Sequence, residues 1–226
     1  MNRRDVLNTI TETIIATKGS LPFRVGISGI TSSGKTTLAN ELTEQLQQKG
    51  VNVIRALMDD FHNPKSIRYQ NGRGSAKGYY GDAYDHQSLL LKLLAPLGPR
   101  GNRQYCVKSH DLSTDLYVDT SFKVAQENSV LMIDGTFLFK EDLREELDFM
   151  IFVKTDFDIA LERGSLREQH ALGGLECAKK IFLERYHPAS RMYLEECEPE
   201  KYADMIVLNN DLKEPELIIN HKRIND

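Results

Sequence analysis

Hydrophobic positions along this chain switch repeatedly between helical and strand-like spacing. Apolar side chains at residues 3–18 share one helical face, and leucines recur every fourth position over 38–46. Short apolar runs suited to buried strands occur at 23–28, 51–58, 129–135, 149–154 and 204–208. Further helices are expected at 86–97, 140–147, 156–168 and 174–196. Because strands and helices alternate, we expect an α/β fold with a doubly wound parallel sheet of about five strands.

The first strand leads into a glycine-rich loop, GITSSGKTT at 29–37, with the G-x-x-x-x-G-K-[ST] spacing of a P-loop. A strand before it and a leucine-spaced helix behind it provide the context that this motif requires. The backbone N–H groups of such a loop lie at the positive end of a helix dipole and suit a polyphosphate. Lys35 would reach the β- and γ-phosphates, and the Thr36 hydroxyl would bind Mg²⁺. The expected nucleotide-binding residues in the loop are Gly29, Thr31, Ser32, Ser33, Gly34, Lys35, Thr36 and Thr37.

Two later strands end in acids that fit phosphoryl transfer. Asp134 follows four apolar residues, as a Walker B acid does, and would hold Mg²⁺ directly or through water. Asp59 comes after the strand predicted at 51–58 and is the candidate general base for a hydroxyl acceptor. Asp60 competes for that role, but alternating strand geometry would turn only one of the pair toward a cleft, and Asp59 is favoured because it follows the strand directly.

Arg163 and Arg167 lie four residues apart on the helix that leads to Gly173 and Gly174. This spacing puts both guanidinium groups on one face, where they could bind phosphates as a lid over about 163–175 closes. The alternative is a solvated face on which each arginine pairs with a neighbouring glutamate.

Residues 63–85 show little periodicity and are rich in glycine and tyrosine, which predicts a loop, and we interpret about 63–125 as a substrate-side insertion in a single domain spanning 1–226. Its aromatic residues could stack on a planar substrate. The candidates are Phe61, His62, Tyr79, Tyr80, Tyr84 and His110. A last segment at 213–224 closes the fold.

Composition narrows the class of protein. A net charge of −4 argues against a general nucleic-acid surface, and no apolar run reaches the roughly 20 residues that span a bilayer. Three cysteines without a C-x-x-C spacing favour neither a zinc site nor a disulfide framework. No apolar segment typical of a signal peptide follows the early basic pair. We therefore expect a cytoplasmic protein without a membrane partner; the pattern leaves a homo-oligomer open.

The segments GISGITSSGKTTLA, MDDFH, DAYDH, LMIDGTFLF, FVKTDFDIALERGSLRE and KYADMIVLNN, in this order, resemble the uridine kinase family. That family is grouped with phosphoribulokinase and bacterial pantothenate kinase, and the resemblance runs from about residue 23 to 210. It implies that Asp59 is the catalytic aspartate, that Asp134 is the Walker B acid (usually Glu in uridine kinases) and that Arg167 is a lid arginine. Gly164 occupies the position at which the family often has a second lid arginine.

The resemblance weakens on the acceptor side. Uridine kinases carry Phe-Asp-His-Pro where this chain has Gly-Tyr-Tyr-Gly at 78–81, and 109–115 lacks the family's later His and Arg. An aspartate that can bind sugar hydroxyls is thus missing, unless Asp82 or Asp111 replaces it.

We therefore expect an ATP- and Mg²⁺-dependent kinase for a hydroxyl of a small metabolite, with a nucleoside favoured. The alternatives are another acceptor, such as pantothenate, a nicotinamide nucleoside or a sugar, or a P-loop regulator without turnover. A GTPase is disfavoured, because the nearest match to the N/T-K-x-D guanine motif, LNND at 208–211, lacks the lysine.

Overall fold

The structure is a computed structural model and describes residues 2–118 and 121–220. In chain order the helices are α1 (Arg3–Thr17), α2 (Lys35–Gln48), α3 (Lys65–Arg68), α4 (Ala76–Asp82), α5 (His86–Leu89), α6 (Glu141–Arg144), α7 (Phe157–Glu168), α8 (Leu175–Ile181), α9 (His187–Cys197) and α10 (Pro199–Tyr202). The strands are β1 (Phe23–Gly29), β2 (Val53–Leu57), β3 (Gln104–Tyr105), β4 (His110–Asp111), β5 (Leu116–Tyr117), β6 (Lys123–Val124), β7 (Val130–Gly135), β8 (Phe149–Lys154), β9 (Met205–Leu208) and β10 (Glu216–Ile219).

A six-stranded sheet in the order β10-β9-β8-β1-β7-β2 forms the centre of the molecule. Five strands are parallel, and β10 pairs with β9 in the antiparallel direction. This confirms the α/β fold with a doubly wound sheet. The additional edge strand comes from the closing segment predicted at 213–224, of which 221–224 lie outside the described residues.

Helices cover both faces of this sheet, which explains why every residue of its central strands β1 and β7 is buried. Val130 and Met132 of β7 pack with α1 and α2, whereas Leu131 and Ile133 pack into the cluster on the opposite face. That second cluster includes the leucines of the predicted 86–97 helix and Tyr193 of α9. Both faces of β7 are therefore buried.

Several element boundaries differ from the sequence predictions. The helix predicted at 86–97 continues past α5 as a π-turn at Leu90–Leu94 and a 3₁₀ turn at Ala95–Leu97. The helix predicted at 174–196 is divided by a π-turn at Phe182–Tyr186, immediately before Pro188 in the first turn of α9. The loop predicted at 63–85 contains α3 and α4. The insertion also holds two small antiparallel pairs, β3 with β6 and β4 with β5. Within the described residues, no helix has the length and apolarity needed to cross a membrane.

Candidate active site

The P-loop connects β1 to α2 at the carboxyl edge of the sheet, and its backbone requires glycine. Gly34 has a φ of +94°, and a Cβ there would lie 2.4 Å from the Asn209 Nδ2. That amide donates to the Ser33 carbonyl over 2.7 Å, and the Thr155 hydroxyl donates to the same oxygen over 3.1 Å. The ends of β8 and β9 thus hold the loop in place.

A cavity of about 750 Å³ opens at this edge of the sheet. It is lined by most of the predicted nucleotide-binding residues, namely Thr31, Ser32, Gly34, Lys35, Thr36 and Thr37. The same cavity continues to a second region, the acceptor half, defined here by His62, Arg68, Tyr69, Tyr79, Tyr84 and Arg185. Asp59 and Asp134 also line the cavity. Nucleotide-binding and acceptor groups therefore share one continuous space.

Lys35 extends from the first turn of α2 into this space, where its Nζ lies 3.4 Å from the Ile30 carbonyl. Burial lowers the pKa of Lys35, while the charges of Asp134 and Asp59 oppose that shift. The weak contact with a carbonyl leaves the ammonium group available to a phosphate.

Thr36 and Asp134 place two oxygen ligands side by side, since the Thr36 hydroxyl donates to Asp134 Oδ2 over 2.6 Å. Mg²⁺ takes oxygen ligands, usually one or two from the protein with phosphates and waters completing the octahedron. The pair fits this demand. Groups of three or more His, Cys, Asp or Glu able to hold a metal are absent from the described part of the chain. Arg55 of β2 forms an ion pair with the other oxygen of Asp134, a contact that no sequence pattern indicated.

Asp59 and Asp60 both lie in a 3₁₀ turn at Met58–Phe61, because β2 ends at Leu57 and not at residue 58 as predicted. Asp59 lines the cavity, and its Oδ1 accepts a hydrogen bond of 3.0 Å from the Tyr84 hydroxyl. Asp60 lies 3.5 Å from Lys108 and is not among the lining residues. Burial raises the pKa of Asp60, and Lys108 opposes that rise. Of the two candidates, Asp59 faces the phosphate-binding loop.

Burial and the neighbouring Asp59 charge raise the pKa of Tyr84 well above its ordinary value. The Tyr84 hydroxyl therefore keeps its proton and acts as the donor. His62 adds a second contact, with its Nδ1 2.7 Å from the Asp59 carbonyl and its ring centroid 4.5 Å from that of Tyr84. Burial lowers the pKa of His62.

The two arginines of α7 have different partners. Arg167 lines the cavity, and its Nη2 donates to the Ser32 hydroxyl over 3.2 Å while its Nε bonds to Glu168. Arg163 instead donates to the carbonyls of Asn209 and Asn210, over 2.8 and 2.6 Å. One helical turn separates them along the axis, so Arg163 supports the loop after β9 and is not among the cavity-lining residues. This corrects the expectation that both arginines face the phosphates.

Gly164 explains why α7 carries only one such arginine near the P-loop. A Cβ at this position would lie 2.1 Å from the Phe182 ring and 2.6 Å from the Ser32 hydroxyl. Helix α7 packs so closely here that no side chain fits.

Five predicted acceptor residues lie outside the cavity lining. Phe61 is wholly buried in the core, and the Tyr80 hydroxyl lies 3.6 Å from Cys197 Sγ. Asp82 accepts a hydrogen bond of 2.8 Å from Asn71. His110 is buried 3.4 Å from Asp115, and Asp111 pairs with Lys108 over 2.8 Å. The expectation that these five residues contact the acceptor is corrected for one shared reason. Neighbouring side chains in short helices and hairpins point in different directions, so only some of them can reach the cavity. Tyr79 and His62 do line the cavity, as predicted.

Sequence reasoning missed the cations of the acceptor half. Arg68 is the last residue of α3, within the loop predicted at 63–85, and Arg185 lies within the helix predicted at 174–196. Neither carried a motif or a spacing that set it apart from a surface charge.

Comparison with known proteins agrees with this geometry. The model of the Phosphoribulokinase / Uridine kinase family matches residues 24–210. A uridine kinase from Deinococcus deserti is 29% identical over 208 residues, which cover 90% of this chain and 95% of that protein. Uridine-cytidine kinase B from Dictyostelium discoideum is 29% identical over 190 residues, 82% of this chain and 74% of that protein.

The solved structures give the same result. A possible uridine kinase from Bacillus stearothermophilus superposes with a TM-score of 0.69 at 27% identity, covering 90% of this chain and 97% of that one. The family match spans most of the sequence, including the P-loop, Asp59, Asp134 and Arg167. This chain is a P-loop kinase of a small metabolite, and it belongs to the phosphoribulokinase and uridine kinase family.

Proposed function

We propose that this protein transfers the γ-phosphoryl group of Mg²⁺-bound ATP to a hydroxyl group of a small metabolite, with Asp59 as the general base. The observation that carries the proposal is the single cavity that holds Asp59 together with Lys35, Thr36 and Asp134. A regulator without turnover has no need of a carboxylate that faces its P-loop.

Each residue has a separate task in this reaction. Asp59 accepts the proton of the acceptor hydroxyl, and Tyr84 holds the carboxylate in position by its hydrogen bond. Lys35 and Arg167 stabilise the negative charge of the phosphoryl group during transfer. Thr36 and Asp134 would hold the Mg²⁺, which neutralises charge on the β- and γ-phosphates. Tyr79 and His62 flank the place where the acceptor must lie.

Uridine is the acceptor named for the relatives, and we propose that this chain uses it poorly. The family's Phe-Asp-His-Pro stretch is replaced by residues of α4, and Asp82 is bound to Asn71 outside the cavity lining. A site that lacks a partner for ribose hydroxyls loses much of its discrimination for a nucleoside.

The test measures ADP formation with ATP and Mg²⁺ across uridine, cytidine, a nicotinamide nucleoside, pantothenate and ribose. Acceptor-dependent ADP formation that disappears in Asp59→Asn supports the kinase assignment. If no acceptor raises ADP formation above the rate with ATP alone, the proposal is contradicted and a regulator becomes the better interpretation. A kcat/KM for uridine of about 10⁴ M⁻¹s⁻¹ or more would refute the poor use of uridine.

A further inference from the structure

The acceptor half of the cavity is rich in cations. Arg68 and Arg185 belong to it, and Lys65 lines the same cavity. The carboxylates that line the whole cavity are Asp59, Asp134 and Glu168, and each has another role or partner. Asp59 bonds to Tyr84, Asp134 to Thr36 and Arg55, and Glu168 to Arg167. The lining therefore supplies no carboxylate for Arg185.

Arg185 is held in place by aromatic rings. Its guanidinium carbon lies 4.8 Å from the ring centroid of Tyr79 and 5.5 Å from those of Tyr69 and Tyr186. The buried Nε has no hydrogen-bond partner in the part of the chain that the structure describes. Rings fix the position of a guanidinium group but do not satisfy its in-plane donors. Arg185 is thus oriented in the cavity wall with donor capacity unused.

Arg68 lies beside the same aromatic residue. Only 5% of Arg68 is exposed, and its guanidinium carbon is 5.2 Å from the ring centroid of Tyr69. Its Nη2 donates to Asp115 over 3.1 Å, which anchors the side chain, while its Nε is buried without a partner among the described residues. Two guanidinium groups with spare donors therefore contact one ring. Asp115 balances the charge of Arg68, whereas no carboxylate of the cavity lining balances that of Arg185, so an anion bound there would compensate it.

We propose that the hydroxyl acceptor carries an anionic group, a carboxylate or a phosphate monoester, which binds Arg185 with Arg68 beside it while its hydroxyl faces Asp59. This inference rests on the proposed function. The planar fork of an arginine matches both kinds of anion through two parallel, charge-assisted hydrogen bonds, and a neutral base or sugar lacks the charge that strengthens them. The same cations disfavour a positively charged acceptor such as a nicotinamide nucleoside.

The experiment compares acceptors in pairs that differ in the anionic group. Pantothenate is paired with neutral pantothenol for the carboxylate, and ribose 5-phosphate with ribose for the phosphate monoester. Initial rates of ADP formation give kcat and KM for each member. We expect the anionic member of at least one pair to have a kcat/KM that is about 10- to 100-fold higher, and the pair that shows this identifies the anion.

Arg185→Gln should remove most of that preference, because it should raise KM for the anionic member much more than for the neutral member. Arg185→Lys keeps the charge without the fork and should fall between the two. Arg191→Gln is the matched control, because Arg191 also stacks on an aromatic ring, Phe157 at 4.5 Å, but does not line the cavity.

The outcomes separate the inference from the proposed function. Equal use of neutral and anionic members by the wild type overturns the inference and leaves the kinase assignment intact. A preference that Arg185→Gln does not change overturns it as well. If Arg185→Gln lowers kcat equally for both members, Arg185 acts on the transferred phosphoryl group and the inference is also wrong. No turnover with either pair overturns the inference, whereas the proposed function is contradicted only if the nucleosides of the wider panel also fail to raise ADP formation. Should Arg185→Gln not fold, the wild-type preference and Arg185→Lys still decide.

Discussion

The Tyr84 hydroxyl donates a hydrogen bond of 3.0 Å to the Asp59 carboxylate, at the boundary between the P-loop and the acceptor half. Tyr84 comes from the residues that follow α4, 25 positions along the chain from Asp59. This bond fixes one carboxylate oxygen and leaves the other free for the acceptor hydroxyl.

Tyr84→Phe should therefore lower kcat while leaving nucleotide affinity unchanged. We expect a loss of about tenfold, since a hydrogen bond to a charged group contributes roughly 1.5–3 kcal/mol and the carboxylate itself remains. Tyr80→Phe is the control, because the Tyr80 hydroxyl lies against Cys197 outside the cavity lining. Steady-state kinetics with the best acceptor would measure both, and equal losses in the two variants would show that Tyr84 does not act through Asp59.

Asp59→Asn keeps the shape of the side chain but removes its ability to take a proton. We expect kcat to fall by about 10²–10⁴, with ATP affinity preserved. Asp60→Asn provides a matched control on the neighbouring residue and should have a much smaller effect, because Asp60 faces Lys108. A large loss in Asp60→Asn together with a small one in Asp59→Asn would reverse the assignment of the base.

Lys35→Ala should weaken binding of an ATP analogue in the presence of Mg²⁺. The loss of a charge-assisted contact corresponds to roughly 1.5–3 kcal/mol, or about 10- to 100-fold in Kd. Calorimetry would measure it, with Lys154→Ala as the control, since Lys154 pairs with Glu200 on the surface. Undiminished affinity in Lys35→Ala would contradict the nucleotide assignment.

His187 should make the protein less stable in mild acid. It is 2% exposed between Phe157 and Phe182, and its pKa is lowered to about 4 by burial and by Arg191, with Asp158 opposing. The unfolded chain takes up a proton near the ordinary pKa of 6.5, whereas the folded chain does so only near 4. Stability therefore falls as the pH drops from 6.5 towards 4, by on the order of 3 kcal/mol in total.

Urea unfolding of the wild type and His187→Phe at pH 7.5 and pH 4.5 would measure this effect. A packing change caused by the new ring alters the free energy of unfolding equally at both pH values. It therefore cancels when the change between pH 7.5 and pH 4.5 is compared for the two proteins. The variant should lose about 2 kcal/mol less than the wild type over this interval. Equal losses would show that His187 is not the group responsible.

The fold and the phosphate-binding half of the site could be predicted because their signals are local. A left-handed glycine, a strand and a helix in direct succession determine the P-loop, and Asp134 follows from the apolar run before it. The preference for Asp59 over Asp60 rested on strand alternation, whereas both residues lie in a 3₁₀ turn, which no periodicity reveals. Tyr79 and Tyr80 are adjacent in the seven-residue helix α4, and only its packing decides which one faces the cavity.

Tertiary contacts also decided where the arginines go. Arg163 and Arg167 share a helical face, yet one reaches the carbonyls after β9 and the other reaches Ser32. Arg185 is positioned by three tyrosine rings, which come from α4, from the turn after α3 and from the next residue in the chain. Sequence spacing alone contains none of this information.

The continuity of the cavity has a consequence for inhibition. The P-loop residues and the acceptor half line one space together with Asp59, so a single molecule could occupy both parts. An adenosine polyphosphate joined to an anionic acceptor analogue would make its second set of contacts intramolecularly. When the linker matches the span, effective concentration then raises affinity by about 10²–10⁴ beyond that of either part alone.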